Sequence, residues 1–204
     1  MTINRRQMLG AMVASTAGLV AAPRVFAAPN CGEAPALLPQ ALAALDHHAA
    51  RIANRDVIGI VNFAAHSRLP RMQLVDVAGG RVIDTMLVSH GRGSDPANVG
   101  WPERFSNRHG SEASSRGAYL TSDAYIGKHG RSRRLIGLDA ENNAALARNI
   151  VIHAADYVSP AMAQAQGRIG RSQGCFAVSQ ADLLPLLTRL GPGRLLYAWK
   201  DAPA

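Results

Sequence analysis

The chain has 204 residues, of which 48% are hydrophobic and 18% charged. This balance is typical of one globular domain with short attachments and excludes a wholly disordered chain. No apolar run reaches the roughly 18 to 20 residues that a membrane span needs, and two cysteines are too few for a disulfide scaffold or a four-cysteine zinc site.

The first 27 residues predict an export signal. Arg5 and Arg6 precede a small-residue apolar stretch, residues 11–22, and residues 25–27 (Val-Phe-Ala) have the small-x-small form of a cleavage site. An arginine pair at this place resembles a twin-arginine signal, which a receptor reads and which does not anchor the protein. The alternative is an ordinary secretory signal. We therefore expect a protein of the periplasm or cell envelope, exported through the twin-arginine route.

The charge of the chain also indicates its surroundings. The 22 Lys and Arg against 14 Asp and Glu give a net charge of +8, and loss of residues 1–27 would remove three arginines and no acid, which leaves +5. A basic protein suits an anionic envelope. Because aromatic residues make up 5% and the one basic run is residues 131–134, we expect no nucleic-acid partner.

Residues 28–55 begin as a Pro-rich linker and continue as an amphipathic helix. Apolar residues recur at spacings of three and four, at Leu38, Leu42, Leu45, Ala49 and Ile52. We expect this face to pack against the main domain. His47 and His48 lie on the same helix, but adjacent positions point to different faces, so we expect no shared metal there.

Residues 56–200 have the pattern of short strands and turns, which predicts the main domain. The strand candidates are residues 56–63, 72–77, 82–88, 118–121, 149–153, 175–178 and 195–199. Gly79 and Gly80 predict a hairpin between the second and third of them. The polar stretch 91–117 predicts a long loop, and loops of that length are usually functional or disordered. A capping box at residues 179–182 predicts a helix start, although Pro185 lies inside that helix.

One histidine and one cysteine carry the candidate chemistry. His153 ends a predicted strand, and Cys175 follows Gly174 in a polar loop. A thiol becomes a nucleophile when a base lies near it, and a strand-end histidine is rigidly placed for that role. Gly174 permits a sharp turn, so that the N–H groups of Gln173, Gly174 and Cys175 can converge on one oxygen as an oxyanion hole. The alternative is a structural cysteine and a buried histidine.

Several phrases of the sequence resemble the YkuD-type L,D-transpeptidase catalytic domain, and in particular its divergent murein branch. They are residues 88–91 (Val-Ser-His-Gly), 114–119 (Ser-Ser-Arg-Gly-Ala-Tyr), 127–130 (Gly-Lys-His-Gly), 150–159, and 170–175 (Gly-Arg-Ser-Gln-Gly-Cys). The resemblance covers about residues 56–200. It implies a mainly β fold of the α+β kind, a mixed sheet sandwich or partial barrel with a few short helices and an N-terminal helix.

The resemblance also implies a mechanism on peptidoglycan. Cys175 would attack the diaminopimelate–D-Ala amide of a tetrapeptide stem and form a thioester, which the amine of a second stem converts into a 3→3 cross-link. His153 would act as the base and Ser172 would orient the site. The expected partners are peptidoglycan stem peptides, the expected form is a monomer, and no metal or organic cofactor is expected.

The sequence departs from the family signature on both sides of the cysteine. Gln173 stands where the signature has a second histidine, and Phe176 and Ala177 stand where typical members have an apolar residue and then Arg or Asn. The departures concern how the substrate carboxylate is held and whether transfer exceeds hydrolysis. Arg171 or an arginine of residues 131–134 is a candidate for the missing cation.

Further candidates lie outside the signature. His129 and Tyr119 are candidates for lining the cleft, or else are surface and packing residues. A zinc-hydrolase site would need His90, His109, His129 and His153 together, and we do not expect one because HExxH and paired His and carboxylate spacings are missing. Cys31 lies in the Pro-rich stretch and is expected to be incidental.

Other functions stay open. With water as the acceptor, the same thiol site would be an L,D-carboxypeptidase. If the departures abolish turnover, the domain would be a catalytically weak peptidoglycan-binding module. A metal-dependent envelope peptidase is the third alternative, and sensitivity to chelation separates it from a thiol enzyme.

Overall fold

The computed structural model describes residues 34–200. Its elements are α1 Leu38–His47, β1 Val57–Asn62, β2 Met72–Asp76, β3 Arg81–Met86, β4 Gly117–Gly127, β5 Gly130–Gly137, β6 Val151–Ala154, α2 Pro160–Gln166, β7 Phe176–Val178, α3 Gln180–Arg189 and β8 Leu195–Trp199. The mainly β fold with a few short helices is confirmed. Within residues 34–200 no helix is long and apolar enough to span a bilayer. The predicted export signal and Cys31 lie outside the described residues.

All eight strands join one mixed sheet in the order β3-β2-β1-β8-β4-β5-β6-β7. β8 runs parallel to β1 and β7 runs parallel to β6, whereas the other neighbours are antiparallel. Strands that are distant in this order share one core, because Met72 and Leu74 of β2 belong to the same buried cluster as Phe176 and Val178 of β7. The sheet therefore curls around this core as a partial barrel.

α1 covers the other face of the sheet, as its amphipathic pattern predicts. Its buried residues are Leu38, Ala41 and Leu45, which join a second cluster with residues of β1, β2, β4 and β8. The helix ends at His47, earlier than its apolar spacing suggests. The next residue, His48, places Nε2 2.8 Å from Asp139 Oδ1, so this histidine fixes α1 against the segment that follows β5.

β5 is a strand that the sequence did not predict, and β4 extends beyond its predicted end to Gly127. β5 contains three arginines, which hide its strand pattern. Arg133 is nevertheless buried, because its guanidinium donates to the carbonyl oxygens of Ser122 at 2.6 Å and Leu187 at 2.9 Å. These bonds compensate for the lost hydration of the guanidinium.

Two helices flank the strand β7. α2, which was not predicted, begins at a Ser159 cap and ends at Gly167, whose φ of 69° is left-handed. α3 has the predicted cap, because Ser179 Oγ accepts the Asp182 N–H at 3.1 Å. The helix then continues through Pro185.

Candidate active site

The two candidate catalytic residues belong to the parallel pair β6–β7, since His153 lies in β6 and Cys175 directly precedes β7. In its register, Ile152 lies opposite Phe176 and His153 lies opposite Ala177. Ile152 and Phe176 point into the large core, so His153 and Ala177 point to the other face, because side chains alternate along a strand. Cys175 directly precedes β7, and alternation continued from Ala177 would put its side chain on the face of His153.

The environment of His153 fixes its tautomer. The residue is 2% exposed, and its Nδ1 lies 2.8 Å from the carbonyl oxygen of Ala154. A carbonyl only accepts, so Nδ1 carries the proton and Nε2 carries the lone pair. Burial, with the nearby His129 and Lys128, lowers the pKa of His153. The imidazole is therefore a neutral base at neutral pH.

Cys175 is half-buried and protonated in this structure. Its thiol donates to the carbonyl oxygen of Asn149 at 3.5 Å, and no hydrogen bond joins it to His153 among the described residues. Burial raises the pKa of the Cys175 thiol, and the positive charges of Lys128 and Arg148 oppose that rise. A neutral thiol and a neutral imidazole are the forms from which proton transfer would have to start.

The turn of residues 172–175 holds the cysteine. Ser172 Oγ donates to the carbonyl oxygen of Cys175 at 2.7 Å and accepts the N–H of Gly174 at 3.1 Å. Gly174 has a φ of 112°, and a Cβ there would lie 2.7 Å from the carbonyl oxygen of Ala113, so only glycine fits. Because its N–H already donates to Ser172, Gly174 does not offer the oxyanion contact that the sequence suggested; Gln173 is exposed.

Tyr119 does not line the cleft, contrary to the expectation from the sequence. It is fully buried, its hydroxyl donates to the carbonyl oxygen of Ser115 at 2.8 Å, and its ring packs edge-on against Phe176 at 5.4 Å. Tyr119 therefore supports β7 from the core side. Arg171 donates to the carbonyl oxygen of Asp95 and so ties the turn to the long loop that follows β3.

His129 lies beside the base, at the tip of the β4–β5 hairpin. It is exposed, and its ring stacks on the ring of His153 with the centroids 4.3 Å apart and the planes at 21°. Burial lowers the pKa of both His129 and His153. The charge of Lys128, which neighbours His129 at the hairpin tip, lowers both further. The hairpin tip therefore forms one basic flank of the site.

Arg148 is a site residue that sequence reasoning missed. Its guanidinium donates to the carbonyl oxygens of Ser106 at 2.7 Å and Ala113 at 2.6 Å. One of its nitrogens lies 3.3 Å from the position that a Cβ on Gly174 would take. No Asp or Glu of the described residues pairs with it, and its charge acts on the Cys175 thiol. Arg148 thus lies directly behind the catalytic turn.

Two of the three arginines at residues 131–134 are engaged elsewhere. Arg133 donates to backbone oxygens in the barrel, as described above, and the guanidinium of Arg134 lies 4.1 Å from the ring centroid of Tyr125. Arg148 precedes β6 without any motif around it. Its position is created by the fold, which brings the segment before β6 against residues 106–115, so the local sequence carries no signal for it.

His90, one of the histidines considered for zinc, belongs to a buried charge network. It is fully buried; its Nδ1 accepts from Arg71 at 2.7 Å and its Nε2 donates to Asp95 at 3.1 Å. Burial and the Arg71 charge lower the pKa of His90 to about 4. The carbonyl oxygen of His90 accepts the N–H of Ser172 at 2.9 Å, so the network supports the catalytic turn.

A metal site is not formed by these side chains. Across residues 34–200, no group of three or more His, Cys, Asp or Glu is placed to hold a metal ion. The site contains a thiol, a neutral imidazole and two nearby cations, Lys128 and Arg148. Covalent catalysis by cysteine uses groups of these kinds.

Solved structures of L,D-transpeptidases share a distant likeness with the chain. One, in complex with imipenem, is 15% identical over 71% of this chain and 59% of its own, with a TM-score of 0.42. The enzyme from Mycobacterium smegmatis is 14% identical over 71% and 58%, at 0.42. That from Xylanimonas cellulosilytica is 18% identical over 79% and 70%, at 0.43. The chain thus spans less than two thirds of the first two, and likeness at these scores carries no argument by itself.

The assignment rests instead on a family match. No curated protein matches the chain. The model of the L,D-transpeptidase catalytic domain matches residues 32–199, which is most of the chain and includes every strand and helix of the described fold, the Cys175 turn and His153. The chain belongs to the L,D-transpeptidase catalytic domain family.

Proposed function

We propose that the protein is an exported L,D-transpeptidase that uses Cys175 as its nucleophile on peptidoglycan tetrapeptide stems. The observation that supports the proposal is the parallel pair β6–β7, which has His153 in β6 and Cys175 directly before β7. The bond to Ala154 leaves the lone pair of His153 at Nε2. Family membership supports the substrate class.

The first half of the reaction forms the thioester. His153 Nε2 takes the thiol proton as Cys175 Sγ attacks the carbonyl carbon of the diaminopimelate–D-Ala amide. The negative charge moves to the carbonyl oxygen, where we assign the N–H groups of Gln173 and Cys175 as donors. When the intermediate collapses, the C–N bond breaks, the imidazolium gives its proton to the amine, and D-Ala leaves.

The second half transfers the acyl group. The side-chain amine of a second stem attacks the thioester carbonyl, His153 takes a proton from that amine, and the C–S bond breaks to release Cys175. The imidazolium returns its proton to the sulfur, and the product is a 3→3 cross-link. Water in place of the amine gives a trimmed tripeptide, which is the carboxypeptidase outcome.

The surrounding residues position these two groups. Ser172 holds the turn through its bonds to Gly174 and Cys175, and Lys128 and Arg148 offset part of the cost of forming a thiolate in a half-buried place. No step of this mechanism requires a metal or an organic cofactor.

A product assay tests the proposal. The mature protein, residues 28–204, is incubated with a purified tetrapeptide stem, and the products are weighed by mass spectrometry. We expect release of D-Ala together with a cross-linked dimer, and loss of both in Cys175→Ser. Turnover that persists in Cys175→Ser but stops with a chelator would instead indicate a metal-dependent peptidase. Binding without release of D-Ala would indicate a peptidoglycan-binding module.

Export through the twin-arginine route is a separate part of the proposal, supported by the pair Arg5 and Arg6 before the apolar stretch. The double substitution Arg5→Lys and Arg6→Lys is expected to leave an unprocessed precursor in the cytoplasm. Normal processing of that variant would reject this route and favour the general secretory one.

A further inference from the structure

A tyrosine that the mechanism above does not use lies on the face of the sheet to which His153 points. Ala177 points to the same face, and it belongs to an apolar cluster of its own, separate from the large core, together with residues of α2 and of the segments after β3 and β6. The ring of Tyr157 packs against this cluster. Tyr157 therefore lies on the side of the β6–β7 pair that carries the proposed base, and not on the core side.

Contacts with Gly170 fix the side chain of Tyr157. The carbonyl oxygen of Tyr157 accepts the N–H of Gly170 at 2.8 Å. A Cβ on Gly170 would lie 2.6 Å from the Cβ of Tyr157 and 2.9 Å from two atoms of its ring, so the backbone at Gly170 lies directly against that ring. The catalytic turn begins two residues later, at Ser172. The segment that leads into the turn of Cys175 therefore also positions Tyr157.

The hydroxyl of Tyr157 is available to a ligand. The side chain is half-buried, and its hydroxyl makes no hydrogen bond within residues 34–200, whereas the hydroxyl of Tyr119 donates to Ser115. Burial, followed by the effect of a negative charge on Cys175, raises the pKa of Tyr157 to about 12. The phenol therefore keeps its proton at neutral pH and can donate to a negatively charged atom close to Cys175.

The proposed reaction develops a negative charge near these two side chains. The oxygen that becomes charged is bonded to the carbon that Sγ of Cys175 attacks, and the N–H of Gly174 is not free for it because it donates to Ser172. Tyr157 and Cys175 are close enough for their charges to interact, but the thiol donates to Asn149 and not to the phenol. A substrate oxygen can therefore lie between the thiol and the phenol.

We propose that Tyr157 is a catalytic residue whose hydroxyl donates a hydrogen bond to the carbonyl oxygen of the amide that Cys175 attacks. The inference rests on the proposed function and adds a side-chain donor to the backbone donors assigned there. As the S–C bond forms, the electron pair of the C=O bond moves to the oxygen; as the C–N bond breaks, it returns. The hydroxyl keeps its proton, because His153 supplies the one that the leaving amine takes. A donor held in place by the fold needs little reorganisation when this charge develops.

Two reactions of the same thiol test this role. Acylation by a carbapenem passes through a tetrahedral oxyanion, whereas alkylation by iodoacetamide displaces iodide from a saturated carbon and forms none. We expect Tyr157→Phe to slow acylation of the mature protein about 10²-fold, the lower end of the effect of removing one oxyanion donor. The rate of alkylation and its pH dependence should not change. Mass spectrometry of quenched samples measures both rates.

Tyr125→Phe is the matched control. The hydroxyl of Tyr125 also makes no hydrogen bond within the described residues, but its ring lies under the guanidinium of Arg134 in the β4–β5 hairpin, so both rates should stay at the parent values. Tyr157→Phe keeps the ring that packs against Gly170, and its Tm verifies the fold. Parent-like acylation in Tyr157→Phe would overturn the role of the hydroxyl. Equal slowing of acylation and alkylation would also overturn it, because the effect would then lie on the thiol itself.

Turnover of the tetrapeptide stem gives an independent measurement. Tyr157→Phe should lower kcat and leave KM nearly unchanged, because the hydrogen bond reaches its full strength only in the transition state. A higher KM at an unchanged kcat would show that Tyr157 binds the ground state, and would overturn the assignment. A parent protein that is not acylated at Cys175 would overturn the proposed function and the role of Tyr157 together, whereas an acylated parent matched by Tyr157→Phe overturns the role of Tyr157 alone.

Discussion

The two buried histidines His90 and His153 differ in the hydrogen bonds that their ring nitrogens make. His90 has both ring nitrogens engaged, by Arg71 and by Asp95, whereas His153 engages Nδ1 with the Ala154 carbonyl and has no hydrogen bond at Nε2 within the described residues. Both have a pKa lowered chiefly by burial. Burial and a lowered pKa are thus common to the two histidines, and the open Nε2 of His153 is the feature that distinguishes them and that the proposed base requires.

The neighbours explain why the two histidines differ. Arg71 and Asp95 are fully buried charges, and neutral His90 joins them because it can accept on one side and donate on the other. His153 faces His129, an exposed ring at the hairpin tip. The first arrangement stabilises the fold under the catalytic turn, and the second is open to a reacting proton.

Removal of the His153 imidazole should have the largest effect on activity. We expect His153→Ala to lower kcat/KM by at least about 10²–10⁴-fold, the usual contribution of an acid–base group, because the same imidazole also activates the nucleophile. The measurement is turnover of the tetrapeptide stem, with circular dichroism to verify folding. Wild-type rates in a folded His153→Ala protein would contradict the proposed pairing of His153 as base with Cys175 as nucleophile.

Removal of the His90 ring should affect stability. His90→Ala leaves Arg71 and Asp95 buried without their common partner, and a broken buried ion network costs about 3–5 kcal/mol of the free energy of unfolding. At about 2–4 °C per kcal/mol for a chain of this size, we expect calorimetry to show that the Tm falls by about 6–20 °C. His153→Ala is the matched control, and an equal loss of Tm in both variants would contradict the distinction between the two histidines.

Arg148 should act on the thiol through its charge. We expect Arg148→Met to raise the pKa of Cys175, because the nearby positive charge favours the thiolate. Arg148→Lys retains the charge and should shift the pKa less. The rate of alkylation by iodoacetamide as a function of pH measures the shift. Equal shifts in the two variants would show that only the backbone contacts of Arg148 matter.

Substitution of Lys128 should have the smallest effect, a shift in the pH profile of kcat/KM. Its charge lowers the pKa of His153, and the active base is the unprotonated imidazole. Lys128→Gln should therefore raise that pKa and move the acid limb of kcat/KM to higher pH, whereas Lys128→Arg should leave it in place. A limb that does not move in Lys128→Gln would remove Lys128 from the electrostatics of the site.

Local patterns predicted much of the fold and the reactive pair. The spacing of Leu38 and Leu45 predicts α1, and the family phrases around His153 and Cys175 correspond to β6 and to the turn before β7. Tyr119 was misplaced because an aromatic residue on a strand has the same sequence pattern whether it points to the core or to a cleft.

The elements that were missed depend on contacts between distant segments. β5 is a strand whose buried arginine is paired with backbone oxygens of β4 and α3. The N–H of Gly174, suggested as an oxyanion donor, instead donates to the hydroxyl of Ser172. Arg148 has its function only because residues 106–115 fold back against the catalytic turn. A single sequence has no local signal for any of these contacts.

Acylation by a carbapenem tests the identity of the nucleophile most directly. The strained ring presents an activated amide to a thiolate, and the resemblance to the family implies that such a cysteine is acylated. We expect the mature protein to gain one drug mass, located at Cys175 by peptide mapping. Cys31→Ser should be labelled, Cys175→Ser should not, and His153→Ala should be labelled much more slowly. Labelling at Cys31 alone, or none in a reduced and folded sample, would show that Cys175 is structural.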